Sequence, residues 1–522
     1  MSAQPGDAES LDELNGLSAT GLEPTTGLLV RNTLVNVVGQ VLPLVVAVAT
    51  IPYVVRGLGP ERFGLLSLAW VILGYSSVFD LGLGRATTKY VAELMARGDH
   101  AGTAHIVWAS VVCQLVMGLL GAAILALAGP ALVTGVFRIP EALATEARAT
   151  VSLLGVGLPA ILASNSLSGA LEARQRFDLA NIAKLLASTG NYLVPMLGVL
   201  AGATLPEIVG LTMIWRWMCL GLLLAMNARS GLKLRAASFR RAPLRKLASF
   251  GVWVTISALI VPATVYLDRV LIARLTSLQA LAYYSVAYDL TSKLLFVSGA
   301  AAAAAFPALS ATSSNETTHR ILAQSTRMIL VGLGLPCALL VGYAEPVLAL
   351  WAGPEIADSS AAALRVLALA TLINGLGFMP YALVEAKGFP QVVTVYHVIE
   401  LPLYGTVTYL LVREMGIKGA AVAWLLRMLV TIPLFSLICG RIAGVEVGRV
   451  VLGVARCAGA VGLVMVLLML AGRLTTVSGN HATALVSILA STVASWWVLW
   501  RWGLGTGDRA AMRGALLGLR IL

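Results

Sequence analysis

The sequence predicts an all-α polytopic membrane protein of about fourteen transmembrane helices, built as two pseudo-symmetric six-helix lobes plus two C-terminal helices. Three observations predict it. Hydrophobic residues are 58% of the 522 and charged residues only 12%, whereas soluble domains carry about 45–50% and about 25%. A soluble chain of this length would need far more charge to cover its surface, and the mean hydropathy of +0.86 agrees. Apolar stretches of about 20 residues, the length that crosses a bilayer core, recur along the chain, and its two halves resemble each other.

Residues 1–28 carry Asp7, Glu9, Asp12, Glu13 and Glu23 with no Lys or Arg. They lack the basic start and short apolar run of a secretory signal and read as a disordered acidic cytoplasmic tail. The expected spans lie near 29–55, 62–84, 104–129, 148–171, 179–201, 206–228, 249–274, 279–309, 321–343, 361–384, 391–412, 418–440, 448–472 and 482–502. Ala300 to Ala305 in the eighth is a small-residue run suited to close helix packing. This divides the chain into an N-lobe (29–228), a basic cytoplasmic linker (229–248), a C-lobe (249–440), and the last two spans with a basic tail (441–522). The linker holds Arg229, Lys233, Arg235, Arg240, Arg241, Arg245 and Lys246, a composition that lies on anionic headgroups.

Lys and Arg favour the side of the N-terminus by more than two to one, which places both termini in the cytoplasm. The net charge of +12 does not indicate nucleic-acid binding, because the basic residues sit between apolar spans. No external loop can hold a catalytic domain; the longest, near 343–361, is under about twenty residues by this span count. Neither a disulfide framework nor a zinc site is indicated by the five cysteines, and no histidines pair at metal-ligand spacing. No phosphate-binding G-x-x-x-x-G-K-[ST] loop occurs. The chain therefore reads as a transporter and not an enzyme, with no cofactor, driven by something other than its own ATP hydrolysis.

The repeat can be followed residue by residue. Pro43 in span one matches Pro262 in span seven, and Ser67 and Ala69 match Ser285 and Ala287. LEARQRF at 171–177 parallels VEAKGF at 384–389, pairing Glu172 with Glu385, and Trp215 matches Trp424. Repeated lobes around a midplane cavity are a transporter architecture. Each proline removes a helix hydrogen bond, so Pro43 and Pro262 are hinge candidates, although proline is also common in transmembrane helices.

The segments NTLVNVVGQVLPLVVAVATIPYVVRGLGPERFGLLSLAW (32–70) and FDLGLGRATTKYVAEL (79–94) resemble the opening of the Wzx-type polysaccharide and O-antigen repeat-unit flippases. These belong to the multidrug/oligosaccharidyl-lipid/polysaccharide (MATE-like) exporter superfamily. The matching points are Arg56-Gly57-Leu58-Gly59, Phe63-Gly64 and Asp80-Leu81-Gly82. Residues 171–177 and MGIKGAAVAW (415–424) extend the resemblance over roughly 29–440. It implies a two-lobed flippase that moves an undecaprenyl-pyrophosphate-linked glycan across the bacterial plasma membrane. Its implied partners are that lipid-linked glycan, membrane lipids, and a polysaccharide polymerase with its chain-length machinery. It also implies that spans one, two, seven and eight line the central cavity.

Charges inside spans are costly and mark functional candidates. Arg269 and Lys293 fall on the implied path, where cations suit a pyrophosphate, with Asp268 and Asp289 to neutralise them when the site is empty. Asp289 and Lys293, four apart on one helix face, can equally be an ion pair that fixes packing. Arg216 and Arg427 in spans six and twelve are either cavity ligands or bridges within a lobe. Asp80, Arg85 and Lys89 line the inner end of span two, where Arg85 and Lys89 read first as headgroup anchors and second as pyrophosphate ligands. Glu172 and Glu385, beside Arg174, Arg176 and Lys387, read first as solvated loops and second as an inner gate. His397 and Glu400, three apart in span eleven, read first as packing residues and second as a pair that shares a proton. Tyr283, Tyr284 and Tyr288 are candidates for reading sugar hydroxyls, although tyrosine in a membrane helix is more often interfacial or packed. Two competing functions stand beside this one: a lipid II flippase, and a cation-coupled multidrug antiporter. The second is disfavoured because residues 32–55 carry no acidic group.

Overall fold

A computed structural model describes residues 26–137, 139–232, 260, 262–312, 314–389, 391–478, 481–505 and 508–509. Residues 1–25, most of the basic linker, the start of span seven and the tail beyond Arg509 lie outside the described residues. Among the described residues the secondary structure is helical throughout, with no strand. Among the described residues, ten helical stretches are long and apolar enough to cross a membrane.

The first helix, α1 (Thr26–Gly74), carries the first two expected spans. The two segments meet at Gly59, whose φ of 77° and ψ of 162° lie outside helical geometry. Gly59 precedes Pro60, and a residue before proline is pushed out of the α region while glycine alone reaches this φ cheaply. The expected second span, 62–84, does not continue unbroken. Its helix ends at Gly74 and is followed by a single turn, α2 (Ser77–Asp80), and then by α3 (Leu83–Ala96). Leu81 (φ 48°) and Gly82 (φ 70°) make the turn between the last two. A left-handed leucine costs roughly 1–3 kcal/mol and persists only where its surroundings over-determine it.

The N-lobe is completed by α4 (His100–Ala131), α5 (Glu141–Ala173), α6 (Phe177–Leu200) and α7 (Leu205–Arg229). A capping box at Thr204 and Glu207, with Pro206 in the first turn, starts α7, as this sequence pattern dictates. In the C-lobe, α8 (262–275) leads to α9 (Leu278–Ser292), a 3-10 turn (Lys293–Leu295) and α10 (Phe296–Ala311). The second span of each lobe is therefore interrupted, at 75–82 in one and at 293–295 in the other. The lobe continues through α11 (Asn315–Gly342), α12 (Ala344–Trp351), α13 (Pro354–Leu376), α14 (Phe378–Ala386), α15 (Gln391–Met415) and α16 (Ile417–Ala443). The expected outer loop near 343–361 is thus largely helical. Finally α17 (Val447–Ser478) packs on α11, and α18 (His481–Val498) packs on α17.

Helices approach closely where glycine allows it. A Cβ on Gly118 would stand 2.3 Å from Pro159 Cα, and one on Gly472 would stand 1.9 Å from the Gly342 carbonyl oxygen. The first closes α4 on α5 and the second closes α11 on α17. In lipid there is no hydrophobic drive between helices, so such close backbone approach supplies much of the association. The outward faces are apolar, with Leu127 83% and Leu452 78% exposed, as a lipid-facing surface requires.

Between the lobes, contact concentrates where α1 meets α9. A Cβ on Gly64 would sit 2.0 Å from the Leu278 carbonyl oxygen, so one lobe's backbone rests directly on the other's at the Gly59 end of the bundle.

Replacing Gly118 with Val overpacks α4 against α5 and is expected to cost about 1–3 kcal/mol. Gly221 has nothing within 4 Å of its Cβ position, so Gly221→Ala serves as the control. Thermal unfolding in detergent should show a lower midpoint for Gly118→Val and an unchanged or higher one for Gly221→Ala.

Candidate functional site

A central cavity of about 400 Å³ is lined by spans two, seven and eight, with spans five and six in place of the implied span one. Ser67, Trp70 and Gly74 of α1, Asn191 and Tyr192 of α6, and Arg216 of α7 form one wall. Tyr266 and Arg269 of α8, with Tyr288, Asp289 and Lys293 of the α9 region, form the other. The Lys293 ammonium donates to the Tyr192 hydroxyl at 2.7 Å, across the lobe boundary. Tyr192 is in turn set edge-on to Trp70 at 5.8 Å. Lys293 thus reaches across to α6 instead of pairing along its own helix, and Asp289 lines the same cavity without being its hydrogen-bond partner.

Arg269 is 6% exposed and Asp268 1%. The guanidinium lies 3.9 Å over the Tyr288 ring and 5.4 Å from that of Tyr266. It donates to the Val265 carbonyl at 3.2 Å and has its Nη1 3.8 Å from Asp268 Oδ1. Asp268 also accepts from its neighbour's backbone N–H at 2.7 Å and from the Tyr284 hydroxyl. Cation–π stacking strengthens when both partners are desolvated, so the aromatic cage and the carboxylate together hold a guanidinium that hydrocarbon alone would reject. Tyr284 and Tyr288 are therefore committed to Asp268 and Arg269, while Tyr283 hydrogen-bonds Glu355 at 2.7 Å.

Arg216 occupies a different environment. One Nη donates to Asn191 Oδ1 at 2.7 Å, and its Nε is buried with no hydrogen-bond partner. It lines the central cavity and also an N-lobe cavity of about 370 Å³ between α3, α5, α6 and α7. That second cavity holds Asp80, Arg85 and Glu172. Asp80 accepts from Gln114 at 2.7 Å and Asn165 at 3.2 Å, so amides, not Arg85, are its partners. Lys89 lies toward Glu93, 3.9 Å away on its own helix, and stands outside the cavity linings described here.

Arg427 does not join the central cavity. It donates to Glu400 at 2.9 Å and stacks 4.7 Å from the Tyr404 ring, lining a C-lobe cavity of about 300 Å³. Glu400 also accepts from Thr431 and faces His397 Nδ1 at 3.1 Å, and His397 Nε2 meets the Tyr381 hydroxyl at 3.2 Å. The His397–Glu400 spacing thus produces the contact expected of it. The sequence reading missed Glu400 as the partner of Arg427. An acidic residue in span eleven facing a basic one in span twelve was the available signal. Arg216 and Arg427 play parallel parts, since each leaves the sixth helix of its lobe and reaches the fifth, although the Trp215–Trp424 register sets them two residues apart. Asn191 leaves the first cation uncompensated, and Glu400 neutralises the second.

The expected gate charges at the Gly82 end stay within their own lobes. Glu172 pairs with Lys184, Arg176 with Asp178 at 3.1 Å, and Lys387 donates to the Thr312 carbonyl at 2.7 Å. Glu385 is exposed. The lobes are instead joined at the opposite end. Trp351 Nε1 donates to the Val48 carbonyl at 2.6 Å, and Arg56 reaches the Trp351 and Ala352 carbonyls at 3.4 Å. These are the terminal carbonyls of α12, which a cation satisfies well. Neither Trp351 nor Tyr192 had been singled out, since an isolated aromatic in a span carries no distinguishing pattern. Of the hinge candidates, Pro43 lies within the helical run of α1, whose backbone leaves helical geometry at Gly59, and Pro262 is buried in α8.

Comparison with known proteins fits this geometry. The chain is 26% identical over 80% of its length to a putative O-antigen transporter of Shigella flexneri, covering 99% of that protein. It is 22% identical over 78% of its length to the uncharacterized membrane protein EpsK of Bacillus subtilis strain 168, covering 82% of it. Among solved structures, the fold resembles the lipid II flippase MurJ in an inward closed conformation (TM-score 0.70, 11% identity, 90% of this chain and 97% of that one). It also resembles an inward-facing multidrug resistance MATE family transporter of the MOP superfamily (TM-score 0.65, 15% identity, 77% and 94%). The sequence profile of the polysaccharide biosynthesis protein family matches residues 29–313, more than half of the chain, and the chain belongs to that family.

Proposed function

We propose that this protein is a flippase that carries an undecaprenyl-pyrophosphate-linked oligosaccharide repeat unit from the cytoplasmic to the outer leaflet of the bacterial plasma membrane, by alternating access. The observation that carries the reading is the central cavity, where Arg216, Arg269 and Lys293 converge from both lobes against Asp289. Buried cations outnumber buried acids there, which suits a pyrophosphate and repels a cationic drug. Arginine holds phosphate oxygens bidentately and keeps its charge, and lysine supplies a point charge. Asp268, Tyr192 and the tyrosine rings satisfy Arg269 and Lys293; an entering anion would take over those contacts.

A lipid II flippase would exploit the same cations, since its substrate also carries a pyrophosphate. The similarity of this chain to an O-antigen transporter over nearly that protein's whole length favours the polysaccharide substrate. With both termini cytoplasmic, the joined Gly59 end faces outward and the cavities open inward. The junction at Arg56, Gly64 and Trp351 is then the outer gate. Lobes that close at one end and separate at the other are what alternating access requires. The product would be handed to a polysaccharide polymerase on the outer face.

Two measurements test this reading. Purified protein in liposomes is given a fluorescent undecaprenyl-pyrophosphate oligosaccharide, and its exposure to an external quencher is followed. Arg269→Ala and Lys293→Ala should each slow translocation by roughly 10–100-fold, the worth of one lost hydrogen bond to a charged group. Unchanged rates in both variants would remove the cavity cations from the mechanism, and export of ethidium in place of the lipid would establish an antiporter. For the gate, spin labels at Glu61→Cys and Asp358→Cys on a cysteine-replaced background report the separation of the lobes. Arg56→Ala with Trp351→Phe should increase the widely separated population at that end.

A further inference from the structure

The N-lobe cavity is unlike the other two. Its wall presents the hydroxyls of Thr88, Ser164, Ser168 and Ser188, the amide of Asn165, and the carboxylates of Asp80 and Glu172. The Ser168 and Ser188 hydroxyls bond to no other described protein group, whereas Thr88, Ser164 and Asn165 each donate to a neighbour. Asp80 is held in place by two amides and Glu172 by Lys184, so each carboxylate is fixed and still has lone pairs facing the space. Such a wall accepts and donates hydrogen bonds to a polyhydroxyl ligand, and its two carboxylates offset Arg85 and Lys184, which line it as well. At about 370 Å³ it has room for roughly one or two pyranose rings, at the small end of ligand sites.

Arg216 stands where this cavity meets the central one and lines both. Its buried Nε has no partner, a state that costs free energy in a low-dielectric setting. A ligand phosphate on the central side would supply the counter-charge that this guanidinium lacks. Arg427 shares the unpartnered buried Nε, but its charge is neutralised by Glu400, and the C-lobe cavity around it is walled by Phe378, Tyr381, Tyr404 and Trp424.

We propose that the N-lobe cavity is the subsite for the first sugar of the carried glycan, with Arg216 at its mouth holding the phosphate next to that sugar. This rests on the lipid-linked glycan reading. Sugar selectivity then resides in α3, α5 and α6, and the central cavity recognises only the pyrophosphate.

The test is binding to the full-length purified protein in detergent, followed by calorimetry. The probes are farnesyl pyrophosphate and its conjugates with glucose, galactose and N-acetylglucosamine. At least one conjugate should bind about tenfold or more tightly than farnesyl pyrophosphate, as one or two added buried hydrogen bonds would give. Ser188→Leu, which removes a free hydroxyl, and Ala187→Phe, which fills the space, should reduce that gain to about twofold or less. Both should keep wild-type affinity for farnesyl pyrophosphate, which also shows that they fold. Arg216→Gln should weaken every probe. The proposal is overturned if no conjugate binds more tightly than farnesyl pyrophosphate, or if the gain survives in both pocket variants. Failure of all four probes to bind wild type would instead sink the pyrophosphate reading itself, and the sugar subsite with it.

Discussion

A cation inside hydrocarbon must be given a partner, and the architecture of this protein follows from how each one is supplied. An ionised side chain at the bilayer centre costs at least about 2.5–3.5 kcal/mol even on lenient scales. Arg269 meets that cost with Asp268 and two aromatic rings, Lys293 with a phenol from the opposite lobe, and Arg427 with Glu400. Each solution requires two or three helices at defined rotations, so the charges determine which faces turn inward. Removing one member of a buried pair strands the other, which is typically worse than never having had the pair. The polar interior is therefore cooperative in a way that the apolar exterior is not.

The breaks in the second span of each lobe belong to the same logic. Irregular backbone is tolerated at membrane depth only where it faces a cavity or protein. Both interruptions do so, one beside Asp80 at the N-lobe cavity and the other beside Lys293 at the central one. Breaking the helix re-aims the residues around it and leaves a segment that can rotate with little loss of hydrogen bonding, since a short 3-10 turn is a common site of hinge behaviour. Proline positions in the first spans attract notice in a sequence, yet the largest departure of α1 from helical geometry is at a glycine followed by proline.

Much of this was legible in the sequence. Composition fixes the membrane class, and the length of apolar runs places most helices within a few residues. The resemblance of the 32–70 and 79–94 segments points to the family that the profile match establishes. Arg269 and Lys293 were legible because charge in an apolar run is rare. Their partners were harder to see. Asp289 is four residues from Lys293, a spacing that favours pairing on an isolated helix, but such pairs are worth only a few tenths of a kcal/mol. A phenol from another helix competes successfully. The pairing of Arg427 with Glu400 spans 27 residues and two helices. Such contacts depend on helix rotation, which apolar periodicity determines poorly when lipid and protein interior are equally apolar. The loop charges do not meet across the lobes in this structure for a related reason, since Glu172 and Lys184 satisfy each other locally.

The asymmetry between pseudo-equivalent positions carries the functional argument furthest. Duplication would place the same arginine in the sixth helix of each lobe with the same kind of partner in the fifth. Here the arginines stand two residues apart in the Trp215–Trp424 register, and the position that holds Glu400 in one lobe holds Asn191 in the other. Folding alone gives no reason for the difference, because a neutral amide leaves Arg216 with less compensation than a glutamate would. The uncompensated guanidinium makes sense as a standing demand for an anion that arrives from outside. It lies where the two polar cavities meet, so that anion would have to occupy one cavity while whatever it is bonded to occupies the other. A phosphate esterified to a sugar has that shape.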